Sequence, residues 1–167
     1  MTPQNFLGLD STDMRLLDAL QSDGRITNQD LAEKVNLSPS ACLRRVRRLE
    51  DSGVINGYVA LLNPAKVGRS SNIFIEITLS SQSEAVLDAF ELAIAKIPDV
   101  MECYLMAGEA DYLVRVAVSS AEDYERIHKS YFSRLPGVAR IRSIFAMRTV
   151  CKKRGFVLET EPKTISV

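Results

Sequence analysis

Apolar positions in the first third of the chain recur at helical spacing. Leu9, Met14, Leu16, Leu17 and Leu20 fall mostly three or four residues apart behind Asp10, with Asp13 in what would be the first turn, and they predict a first helix. Asp23-Gly24 marks a turn. Thr27 followed three residues later by Asp30 sets a capping pattern ahead of Leu31, Ala32 and Val35, which predicts a short second helix. In NLSPS, Ser38 can cap a third helix whose first position suits Pro39 and whose stop is supplied by Gly53. At about 100° per residue this helix gathers Cys42, Leu43, Val46 and Leu49 on one arc, and Ser40, Ala41, Arg44, Arg45, Arg47 and Arg48 on the other. The segment VINGYVALLNP that follows holds Asn56-Gly57 between short apolar runs and predicts a two-residue hairpin, a small β wing. Residues 1–63 therefore read as a winged helix-turn-helix.

The period then changes. Ile73, Ile75, Ile77 and Leu79 alternate and predict a strand with one apolar face. From Ser83, a helix with Val86, Leu87, Phe90 and Ile94 along one side runs to near Pro98. Strands follow in VMECYLM and YLVRVAV, with the turn AGEAD between them. Ser120 and Asp123 start another helix through Tyr124, Ile127, Tyr131 and Leu135, and VARIRSIFAMRTV supplies a long fourth strand. This βαββαβ order predicts a ferredoxin-like antiparallel sheet with both helices on one face. The fold class is thus α+β, in segments 1–63, a polar linker at 64–72, a sheet domain at 73–151 and a C-terminal extension at 152–167. The second sheet face includes apolar candidates such as Phe74, and a further copy of the domain is its simplest cover.

A hydrophobic fraction of 46% with 25% charged residues fits a soluble globular protein. No apolar run approaches the roughly 18 residues of a membrane span, and MTPQNFLGLD lacks the features of a signal peptide, so a cytoplasmic location is expected. Cys42, Cys103 and Cys151 stand far apart with no CxxC spacing, which indicates neither a disulfide framework nor a zinc site. His128 has no metal-like companions, so no metal or cofactor is expected.

Lys+Arg and Asp+Glu both total 21, so the net charge is +0 and any polyanion binding must come from local clustering. Arg44, Arg45, Arg47 and Arg48 are such a cluster. A charge run on a helix is usually just a solvated face, but here it sits on the second helix of a helix-turn-helix, behind small residues. That is the pattern of a major-groove reader, with Ser38, Ser40 and Ala41 at the groove entrance. Arg44, Arg45 and Arg48 would then be base or phosphate donors, with Arg47 flanking them.

The motifs LD-x-x-D, DGR, LS, R-V-x-R-L-E and G-x-I-x-G-Y occur in this order between residues 9 and 58. In them the chain resembles the leucine-responsive regulatory protein/AsnC family, the feast/famine transcription regulators. The resemblance extends to residue 151 and implies an effector-binding second domain that holds a small, usually amino-acid, ligand between dimers. It also implies assembly on double-stranded DNA as dimers that join into octamers or other higher oligomers. The family's Gly-x-x-Asp loop is matched by Gly108 and Asp111, which makes Leu105, Met106, Ala107, Gly108, Glu109 and Asp111 the implied effector site. Many relatives carry Thr or Ser where this chain has Ala107, which removes one hydroxyl from the loop. Exposed loop amides suit a carboxylate, and Asp111 suits an ammonium group or the ordering of the loop.

Two other functions fit the pattern less well. A ligand-independent architectural DNA protein would share the first domain. A ferredoxin-like oligomeric enzyme would need more than Glu109 and Asp111, for no nucleophile or phosphate loop accompanies them.

Overall fold

Helix α1 (Ser11–Ser22) begins where Asp10 accepts from the Asp13 amide while the Asp13 carboxylate accepts from the Asp10 amide, a reciprocal capping box. The structure, a computed structural model, describes residues 8–153 and 155–158. The start of the chain at 1–7, part of the segment read as lacking signal-peptide features, lies outside the described residues, as do residue 154 and residues 159–167 of the expected extension. Helix α2 (Asn28–Lys34) starts on Thr27, whose hydroxyl accepts from the Asp30 amide. Asn36, at φ 57°, makes the left-handed step that ends it, a conformation Asn tolerates better than most side chains. Helix α3 (Pro39–Asp51) starts on Ser38, which accepts from the Ala41 amide, and stops at Gly53 with φ 73°.

The three helices close on Leu16, Ala19, Leu31, Ala32, Val35 and Cys42, all nearly inaccessible to solvent, with Leu20, Ile26, Leu37 and Val46 packed around them. Full burial of a Leu or Val side chain stabilises by about 1.5–3 kcal/mol, so this small cluster is the main adhesive of the unit. Leu43, expected on the apolar arc, is 40% exposed instead. The interior side of α3 is taken by Cys42, Val46 and Leu49, and Leu43 turns away from them.

The hairpin expected at Asn56-Gly57 does not form, since residues 54–63 carry no paired strand. The Tyr58 hydroxyl donates to Glu50 at 3.0 Å, and Val59, Leu61 and Leu62 remain exposed. The would-be second strand has no sheet face to pack on, and an isolated two-stranded ribbon is marginal in water.

The described part of Met1–Ala60, with that of Cys151–Val167, forms one unit, and Leu61–Val150 a second. In the first, the Gln21 side-chain amide exchanges two hydrogen bonds with the Phe156 backbone, accepting at 2.7 Å and donating at 3.2 Å. A Cβ at Gly155 would lie 3.1 Å from the Gln21 side-chain oxygen, so glycine permits this close approach. Residues 155–158 are therefore part of the helical unit, a relationship that sequence order concealed.

The second unit contains β1 (Ser71–Leu79), α4 (Glu84–Ile94), β2 (Val100–Leu105), β3 (Tyr112–Val118), α5 (Ala121–Ser130) and β4 (Val138–Phe145). The strands form one sheet in the order β2-β3-β1-β4, antiparallel throughout, as the split βαβ pattern requires. Ile73, Ile75 and Ile77 of β1 and Val114, Val116 and Val118 of β3 point to one face and are fully buried with Phe90, Ile127 and Phe132. Strand β1 begins two residues earlier than its alternation predicts, because Ser71 and Asn72 still pair with Val118 and Ala117. Strand β4 ends at Phe145 rather than continuing to Val150; the last bond to β1 is Ala146 N–H to the Asn72 carbonyl at 3.1 Å, and β1 itself starts only one residue earlier, at Ser71. Helix α5 stops at Ser130 and a 3-10 turn, Phe132–Arg134, completes the expected helix. Arg69, ahead of β1, is held at 2.9 Å by the nearly buried Asp99.

Candidate DNA interface and ligand loop

Asp13 organises α3 from beneath. Its carboxylate is buried, yet Arg45 Nη1 donates to one oxygen at 2.8 Å and Arg48 Nη2 to the other. The same Arg45 nitrogen donates at 2.6 Å to Asp10. Burial, the largest single influence on Asp10, pushes its carboxyl upward, but the Arg45 hydrogen bond and the helix-start amides together bring it below its ordinary value. The start of α1 and the middle of α3 are thus locked by charge as well as by packing. Asn28 adds a tie at the other end of α3, donating at 3.0 Å to the Pro39 carbonyl.

The four arginines consequently divide. Arg45 and Arg48 are engaged by α1, although the Arg48 side chain keeps 54% of its surface in solvent. Arg44 and Arg47 are exposed, and with Ser40 and Leu43 they occupy i, i+3, i+4 and i+7 of one stripe that lines a shallow concavity on α3. Arg47, which the sequence placed as flanking the other three, stands within this outward stripe. Ser38 is exposed but its hydroxyl is occupied as the cap, 3.3 Å from both the Ala41 amide and the Ser40 hydroxyl. Ala41 is partly buried. Sequence reasoning missed Asp13 as the arginine partner; its signal was an acid in the first turn of α1, which capping alone accounts for.

In the second unit, the loop between β2 and β3 is built around Asp111. Its buried carboxylate accepts from the Leu79 amide and from the Gln82 side chain, both at 2.7 Å, while its own amide donates to the Ile77 carbonyl at 3.0 Å. The Met106 amide closes the loop on the Asp111 carbonyl at 2.8 Å. Of the two roles the sequence left to Asp111, loop ordering is the one these bonds perform. Leu105, Met106, Ala107, Gly108 and Glu109 are all exposed at the tip. A Cβ at Gly108 would meet nothing within 4 Å, and its backbone is not left-handed, so nothing inside the chain demands a glycine there.

Glu109 reaches across to β4, where Arg140 Nη2 donates to it at 2.8 Å. The Arg140 hydrogen bond and charge hold the Glu109 carboxyl below its ordinary value. Nearby, Glu91, Cys103, Leu105 and Tyr112 line a cleft of about 290 Å³. The Tyr112 hydroxyl donates to Glu91 at 2.8 Å, and burial, followed by this carboxylate, pushes its pKa up. Neither Arg140 nor Glu91 had a sequence signal, for each acquires its partner only through the sheet. Among the described residues no group of three or more His, Cys, Asp or Glu could hold a metal, and His128 packs edge-on against Tyr124. No helix of the described residues is long and apolar enough to cross a membrane.

A helix-turn-helix unit with arginines on its second helix, followed by a ferredoxin-like unit with an ordered, open-tipped loop, defines a two-part DNA-binding regulator. The pattern described as winged helix-turn-helix DNA-binding matches residues 9–56, and the Lrp/AsnC ligand binding domain matches residues 72–156. The chain belongs to the Lrp/AsnC family of transcription regulators, which are not enzymes. It is 41% identical to the leucine-responsive regulatory protein of Escherichia coli K12 over 152 residues, 91% of this chain and 93% of that relative. An AsnC family transcriptional regulator from Agrobacterium tumefaciens superposes with a TM-score of 0.85 at 34% identity, over 89% of this chain and 97% of that one. A Neisseria meningitidis regulator in complex with L-Met gives 0.81 at 32% identity, over 92% and 96% respectively.

Proposed function

We propose that this regulator selects a DNA operator with the outward stripe of α3 and changes its occupancy when an amino-acid-like metabolite binds at the loop 105–111. Ser40, Arg44 and Arg47 contact bases or phosphates. Arg45 and Arg48 hold the helix at its angle, with Arg48 still able to reach a phosphate, and Ser38 and Ala41 shape the groove entrance. The observation that carries this reading is the division of the arginines: Arg44 and Arg47 stand outward, whereas Arg45 and the still half-exposed Arg48 are anchored on a buried acid.

The effector part rests on the exposed tip around Gly108, held at its base by Asp111, and on the similar Neisseria regulator having been solved with L-Met. The regulator works in the cytoplasm as a homodimer, and as an octamer or similar higher oligomer. Exposed Ile144, Phe145, Met147 and Val150 in and beyond β4 support self-association, as does Phe74 on the outer sheet face. A thermal-shift screen against the common amino acids, followed by operator titration with any that stabilise the protein, tests it. Stabilisation coupled to a change in DNA affinity is expected. Selective DNA binding that no amino acid alters would favour an architectural protein.

A further inference from the structure

Leu43 is the one large apolar side chain of α1, α2 or α3 that is exposed beyond a third of its surface among the described residues. It does not sit at a frayed end. It occupies the second turn of the recognition helix, between Ser40 one turn before and Arg47 one turn after, with Arg44 beside it. A rotation of the helix cannot bury it, because the arginine pair on Asp13 and the packing of Cys42 and Leu49 fix the opposite side. An apolar group held outward in a cationic stripe calls for a partner that offers phosphate charge at its rim and an apolar spot at its centre.

Resting on the DNA-reading role of this stripe, we propose that Leu43 is a specificity-determining residue that packs against the C5-methyl of a thymine in the major groove. That methyl is the apolar group displayed on base edges there, and contact with it separates T·A from C·G without any hydrogen bond. Ser40 supplies the clearance that lets the helix approach. Arg44 and Arg47 lie on either side, where they meet neighbouring bases or the backbone and neutralise phosphates. Leucine then has a reason to be in solvent in the free protein, since the apolar surface is covered when the operator is bound.

The test uses the full-length protein and an operator obtained by selection from random duplexes. Each thymine of the operator is replaced in turn by deoxyuridine, which keeps the pairing and all polar groups and deletes only the methyl. Loss of one methyl contact is expected to weaken binding roughly three- to tenfold at one position of each half-site. Leu43→Ala is expected to weaken the unmodified operator by a similar factor and to be indifferent to deoxyuridine at that position. Its fold is checked by circular dichroism, and the deoxyuridine scan on the unaltered protein needs no variant. Tight, selective binding with no thymine sensitive to methyl removal overturns the role of Leu43 while leaving the DNA-reading stripe intact. A Leu43→Ala protein that keeps the full methyl sensitivity overturns it equally. Failure to select any operator overturns the stripe and Leu43 together.

Discussion

Arg45 of the recognition helix donates at 2.8 Å to Asp13, a carboxylate with no solvent exposure, although the two stand 32 residues apart in the chain. A buried acid is costly without partners, so the pair and the Arg48 contact beside it bind the orientation of α3 to the start of α1. Replacing Arg45 by Ala leaves Asp13 with less compensation and is expected to lower stability by about 2–4 kcal/mol. Urea unfolding of the variant beside the native protein measures this. A loss under about 0.5 kcal/mol, the usual range for a surface position, would remove the anchoring role.

Arg44 and Arg47 should behave in the opposite way. Arg44→Ala is expected to unfold like the native protein yet bind its selected operator about 1–3 kcal/mol more weakly if the side chain reads a base. Arg47→Ala, if it contacts phosphate, should weaken all sequences alike and reduce the magnitude of the salt slope by roughly 1. Operator titrations at several salt concentrations distinguish the two roles. Equal, full affinity for both variants at every salt concentration would contradict the outward stripe.

Local rules made much of this legible and tertiary geometry concealed the remainder. Thr27, Ser38 and Ser120 all cap where spacing placed them, because a cap is decided within four residues. The alternation of Ile73, Ile75 and Ile77 revealed a buried sheet face because successive strand residues point to opposite sides, so period two puts every isoleucine on the same one. The sequence could not show which arginines face outward. Its helical wheel separates apolar from polar residues, whereas the split between Arg44 and Arg45 depends on where a distant acid lies. Asn56-Gly57 misled for a related reason: a turn signal is local, but a hairpin survives only if a sheet face supports it. Glu109 and Arg140 are neighbours only because β4 returns beside β1.

The cysteines offer a check on both units. Cys42 is fully buried, and burial pushes its thiol upward; burial followed by the Glu91 charge pushes the Cys103 thiol to about 11. Thiolate is the reacting form, so both should resist alkylation near neutral pH while exposed Cys151 reacts. Mass spectrometry after brief iodoacetamide treatment should find Cys151 modified first, with Cys42 and Cys103 following only in denaturant. Early modification of Cys42 would mean that the helical core opens far more readily than its packing implies.

Acid should weaken the sheet unit through Asp123. The Arg126 hydrogen bond, with the Ser119 amide next in weight, holds this carboxyl down to about 2. A lowered value means that folding favours the ionised form, so the contribution is complete above the ordinary carboxylate value near 4 and disappears as pH falls through about 2. The melting temperature of Asp123→Asn should therefore lie below that of the native protein at pH 5 and converge on it toward pH 2. Parallel curves across that range would exclude Asp123 as a source of acid sensitivity.

Asp111 orders the loop proposed to hold the effector, so its variants must be read for stability as well as for response. Its carboxylate satisfies the buried Leu79 amide and the Gln82 side chain, so Asp111→Ala leaves donors unpaired and is expected to cost about 2–4 kcal/mol in stability. Loss of effector response in that variant alone would therefore say little about ligand contact. Asp111→Asn keeps one acceptor oxygen and the side-chain shape, and should recover part of the stability. Glu109→Gln, at the exposed tip, should leave folding unchanged while weakening the response if a ligand ammonium group pairs with Glu109. Thermal melts of the three variants, with and without the amino acid that stabilises the native protein, decide between these roles. A response lost in Asp111→Ala but complete in Asp111→Asn and Glu109→Gln would assign the loop a supporting function, with the ligand held by its backbone amides instead.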